Sequence, residues 1–92
     1  MSRNAKIPAN LVDTWIEAST DGGRTLADAV RDMARALARP IRQNRIYEWR
    51  LGNRTPPPEV LRYMARIASP WVMERTRDPM AIAEALTPPI RV

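Results

Sequence analysis

Apolar positions in this chain recur every three or four residues rather than every second one. Valine, isoleucine and threonine never alternate with polar residues over a strand's length, so the pattern predicts an all-α fold. The first helix is expected over "PANLVDTWIEAS", with Pro8 near its first turn and Leu11, Val12, Trp15 and Ile16 on one face. "TDGG" then breaks the chain. Thr25, with Asp28 three residues on, is close to a capping box and opens a second helix. Leu26, Ala29, Val30, Met33 and Leu37 give that helix a continuous apolar stripe. It should stop near Arg39, because Pro40 disfavours helical geometry in the residue before it.

A short third helix fits residues 42–51, with Ile46 and Trp49 one turn apart and Gly52 where a left-handed stop is needed. "NRTPPP" reads as a rigid extended connector. "PEVLRYMARIA" makes a fourth helix, which "SP" at 69–70 should interrupt, leaving 70–77 as a separate turn or short helix. Asp78 followed by Pro79 looks like an N-cap and first helical residue, opening "PMAIAEAL". "TPPIRV" is a tail without predicted structure. The expectation is a compact bundle of about five helices. Residues 1–69 would carry its centre, and 70–92 would pack against that core or a second subunit.

Composition removes several functions. The 92 residues contain no cysteine and no histidine, so disulfides, thiolate metal sites and histidine acid–base chemistry are out. The single lysine, Lys6, lies near a chain end, and no carboxylate cluster suggests Mg²⁺; we expect no enzyme, no metal and no cofactor. No apolar run approaches a membrane span, and Asn10, Asp13 and Glu17 interrupt any signal-peptide apolar region. A soluble cytoplasmic protein is the default expectation.

Charge sharpens the picture. The net charge is +5. Seven arginines (31, 35, 39, 42, 45, 50, 54) stand against Asp32 and Glu48 in one 24-residue window, and the rest of the chain is balanced. A local basic stripe points to a polyanion partner, or else to a solvated helix surface. The second and third helices with the turn between them form a helix-turn-helix unit. Its second helix exposes Arg42, Gln43, Asn44 and Arg45. Gln and Asn pair bidentately with adenine, Arg with guanine, and Glu48 either accepts from a cytosine amino group or holds an arginine in place. Tyr47 either bonds a phosphate or covers a helix flank. Arg31 and Arg35 read as solvated charges or partners of Asp28 and Asp32. Ile46, Trp49 and Trp15 read as core.

"IYEWRLGNRTPPPEVLRYMARIA" resembles the second half of the Cro/phage-repressor (XRE-like) helix-turn-helix, I-x-x-W-x-x-G-x-x-x-P followed by an amphipathic helix. The matching residues are Ile46, Trp49, Gly52 and Pro56, and the resemblance covers roughly residues 25–68. The turn "LARPIR" is one residue longer than the family's, with Pro40 and Arg42 at its glycine and serine places. The resemblance implies a dimeric regulator of transcription that binds operator DNA. The recognition helix would begin at Arg42, with Arg42, Gln43, Asn44 and Glu48 at base-reading positions. Arg45, Tyr47, Arg50, Asn53 and Arg54 would lie near phosphates. Alternatively Asn44 caps the helix, which would then start two residues later.

The expected partner is double-stranded DNA, bound by a homodimer without membrane contact. Trp71, Met73, Met80, Ile82 and Leu86 are the candidate dimer interface, being more apolar than a chain end needs. A phage or mobile-element repressor and a plain bacterial regulator fit equally. The other reading is a protein-interaction module, an antitoxin or adaptor, that keeps the fold.

Overall fold

A computed structural model describes residues 7–89; Lys6 and the last three residues of the tail lie outside them. The described chain is all-helical: α1 Leu11–Thr20, α2 Leu26–Leu37, α3 Gln43–Arg50, α4 Pro58–Arg75 and α5 Pro79–Ala85. No helix among the described residues is long and apolar enough to cross a membrane.

Local chemistry sets most boundaries. Helix α1 begins at Leu11 rather than near Pro8, because Asn10 is the cap. Its side chain accepts from the Asp13 amide at 2.9 Å and donates to the Asp13 carboxylate at 2.9 Å. Gly22 and Gly23, at φ 87° and 95°, take the chain out of α1 through a region open mainly to glycine. At α2 the capping box forms in full. Thr25 Oγ1 accepts from the Asp28 amide at 3.1 Å, and the Asp28 carboxylate accepts from the Thr25 amide at 3.5 Å. Hydrogen bonding from Thr25, its hydroxyl first and its amide second, holds the Asp28 carboxyl below its ordinary value, and Arg31 adds to this. Asp78 caps α5 by accepting from the Met80 amide, with Pro79 as its first residue.

Helix α4 corrects one expectation: Ser69-Pro70 does not interrupt it, and the helix runs unbroken to Arg75. Pro70 removes an amide and crowds the carbonyl one turn back, normally a cost of about 3 kcal/mol. Here Pro70 and Arg66 are both exposed, so the orphaned carbonyl lies on the solvent side. Ala68 and Val72, each 0 % exposed, anchor the helix on both sides of the proline. The division expected at 69/70 therefore falls inside a continuous helix.

The core gathers Leu11, Val12 and Trp15 of α1, Ala29, Val30 and Met33 of α2, Ile46 and Trp49 of α3, and Val60, Met64 and Ala68 of α4. Helix α4 packs most extensively on α1. The segment after α4 returns to the same body. Leu86 packs on the core, and the Leu11 amide donates to the Thr87 carbonyl at 2.8 Å. Trp71 is tied within the chain: its indole Nε1 donates to Asp21 at 3.1 Å, and the Arg75 guanidinium lies 4.1 Å from its ring centroid. Arg75 also pairs with Asp21 at 2.9 Å.

Candidate nucleic-acid interface

The turn between α2 and α3 is built by backbone chemistry. Ala38 adopts φ 53°, ψ 42°, the left-handed conformation usually left to glycine. Its amide donates to the Arg35 carbonyl at 3.3 Å, and the Arg39 amide donates to the Ala34 carbonyl at 3.1 Å. This doubly bonded stop ends α2 at Leu37, three residues before Pro40. Ile41 then packs on the core, and Arg42 sits in extended backbone as the N-cap of α3.

Arg42 provides no side-chain cap, so the first amides of α3 lack a side-chain acceptor. Asn44 is not the cap either; it is the second helical residue, with an exposed side chain. The alternative in which the helix starts two residues later is not what the structure shows.

Ile46 and Trp49, at 0 % and 5 % exposure, fix the roll of α3. With a hundred degrees per residue, the opposite face carries Asn44, Tyr47, Glu48 and Leu51. Tyr47 and Leu51 are 43 % and 67 % exposed. Gln43 lies beside this face, and its Nε2 donates to Tyr47 Oη at 3.2 Å. Arg50 flanks it towards α1, where its Nε meets Asp13 Oδ1 at 2.6 Å. Arg45 flanks it on the other side, pairing with Glu48 at 3.0 Å.

The chain leaves α3 through a second doubly bonded stop. Gly52 has φ 78°, its amide donates to Trp49, and the Asn53 amide donates to Glu48. Those two amides are occupied by the helix end and so are not open to a phosphate. Asn53 and Arg54 themselves are exposed. Pro56 is buried. The four residues that carry the family resemblance thus all do structural work: two in the core, one in a left-handed turn, one beneath the connector.

An open cleft of about 660 Å³ lies between this connector, the α2–α3 turn and the flank of α3. Ile41, Trp49, Pro40 and Pro57 line it with apolar surface, and Arg39, Arg42, Arg45 and Arg54 line it with charge. Asn44 and Thr55 complete it. Arg39 is the member that sequence reasoning did not single out. Its position in the basic window was visible, but its place beside the cleft depends on the turn at Ala38. The opposite flank of α3 is mixed in sign: Asp13, Glu17 and Arg50 share a smaller hollow with Pro8 and Ile16.

Acids compensate much of the basic window. Arg31 pairs with Asp28, Arg39 with Glu59, Arg45 and Arg54 with Glu48, and Arg50 with Asp13. Asp32 pairs with Arg24 rather than Arg35. Arg35 and Arg42 have no carboxylate partner among the described residues. Both are exposed, and Arg42 lies at the mouth of the cleft and the start of α3.

The candidate interface residues 71–86 occupy a different part of the surface chemistry. Met73 and Met80 are 58 % and 70 % exposed, whereas Trp71, Ile82 and Leu86 are half-buried within the chain. Compared with known proteins, the chain matches no family model, no curated protein and no solved structure.

Proposed function

We propose that this chain is a sequence-specific regulator of transcription that binds double-stranded DNA, with α3 in the major groove. One observation carries the reading: α3 turns Asn44 outward beside amides that no side chain caps, and neither Asn44 nor Arg42 at the same end has a side-chain partner among the described residues. An amide side chain at that position suits the N7 and N6 edge of adenine, and Arg42 suits guanine or a phosphate. The open amides favour an approaching anion. Gln43 reaches a neighbouring base once its bond to Tyr47 opens. The flanking arginines take the backbone on either side.

An eight-residue helix reads few base pairs. Two copies on half-sites about 34 Å apart supply the rest, so the proposal includes a homodimer. Met73 and Met80 are the exposed apolar side chains of its candidate interface. The reading places the protein in the cytoplasm, as a repressor of phage, mobile-element or chromosomal origin.

Selection from a random duplex library at near-physiological salt tests this. The expected result is a two-fold symmetric motif with half-sites one helical turn apart. Asn44→Ala should then cost about 1–3 kcal/mol on the selected site and little on other duplexes, measured by titration. A library without enrichment would favour the second reading, a protein-interaction module. That reading draws on Tyr47 and Leu51, whose exposed apolar surface shares the outward face of α3.

A further inference from the structure

Glu48 is the single acidic residue of α3, and the sequence leaves it as a base reader or as the holder of an arginine. Its geometry favours the second and adds to it. One carboxylate oxygen, Oε1, accepts from Arg45 Nη1 at 3.0 Å and faces Arg54 Nε at 3.4 Å. The two arginines come from different elements, α3 and the connector after it. Both line the cationic cleft. An anionic oxygen between two guanidiniums is what a backbone phosphate would present there.

These pairs do little for the fold. Their side chains are 40 % to 61 % exposed, where ion pairs are worth almost nothing to stability. What they change is the charge offered to a polyanion. Two guanidinium charges are reduced to one, and both groups are held in place by an acceptor that a phosphate must displace. That effect is indifferent to base sequence, because it acts on the backbone. Reading a cytosine amino group with that oxygen would mean leaving both arginines.

Resting on the DNA-binding reading above, we infer that Glu48 is a positioning residue for Arg45 and Arg54 and an electrostatic brake on non-specific DNA binding. It sets how tightly the protein holds any duplex and leaves the choice of site to Asn44 and its neighbours. Because it weakens every site by the same factor, it leaves the partition between the right site and its competitors to the base readers and shortens the time spent on each wrong one.

The test is Glu48→Gln, measured by titration against the selected duplex and unrelated duplexes across a range of salt. The substitution should raise affinity for every duplex about three- to tenfold near 0.1 M salt. It should steepen the plot of log K against log salt by up to about 0.9 for each phosphate newly engaged. The ratio of specific to non-specific affinity should stay within about twofold. In an Arg45→Gln/Arg54→Gln background the same substitution should change affinity less than about twofold. Unchanged affinity and salt slope for unrelated duplexes would overturn the inference while leaving DNA binding intact. So would a loss confined to duplexes carrying one particular C·G pair, which would make Glu48 a base reader. Wild-type protein that shows no salt-dependent binding to any duplex would overturn this inference and the DNA-binding reading together.

Discussion

Helices α2 and α3 are neighbours joined by one turn, yet they owe their existence to different forces. Helix α2 is self-sufficient. It has a full capping box at its start, a doubly bonded stop at its end and an apolar stripe along its length. Helix α3 has no side-chain cap, carries no acid in its first turn and buries only Ile46 and Trp49. Local chemistry makes α2; packing makes α3. A short polar helix held from one side keeps the rest of its surface for another purpose, and here that surface carries the candidate DNA-reading groups.

The contrast can be broken at α3 most easily. Trp49→Ala should lower unfolding stability by about 3–5 kcal/mol in denaturant titrations, since little besides Ile46 would still hold α3 to the core. Gly52→Ala comes next. An alanine forced to φ 78° should cost about 1–2 kcal/mol, seen as a lower Tm. At α2, Thr25→Ala should cost about 1 kcal/mol by the same measurement. The capping box also ties α2 to pH. The Asp28 carboxyl is held below its ordinary value in the fold, so its contribution is complete above about pH 4 and fades as pH drops through the lowered value. Asp28→Asn should remove that part of the acid sensitivity, leaving a flatter stability curve below about pH 4. The smallest change is favourable: Ala38→Gly relieves the left-handed alanine and should raise stability by a few tenths to about 1 kcal/mol.

What could be read in advance follows the same divide. The stripe of α2, its capping box, the Asp78–Pro79 start of α5 and the inward pair Ile46–Trp49 are all patterns within a few residues, and they were legible. Two features were hidden because their causes are not local. Pro70 reads as a breaker until the buried Ala68 and Val72 hold the helix through it. The stop at Ala38 carries no glycine to announce it; an alanine takes the left-handed conformation there, in a turn bonded back to Ala34 and Arg35. For the site, the run of arginines was plain, but its compensation was not. Asp13 and Glu59 lie tens of residues from Arg50 and Arg39, and only the fold brings them together. The face of α3 opposite the core followed directly from Ile46 and Trp49.

The bond between the Leu11 amide and the Thr87 carbonyl, together with the packing of α1 on α4, has a bearing on how this protein is made. Helix α1 is synthesised before α2 and α3 but takes its place against α4 and Thr87, which come after both. A nascent chain that has released α2 and α3 holds an unfinished core, with Leu11, Val12 and Trp15 still lacking their largest partner. Closing this core therefore requires α4 to be present, which favours a concerted step over helix-by-helix addition.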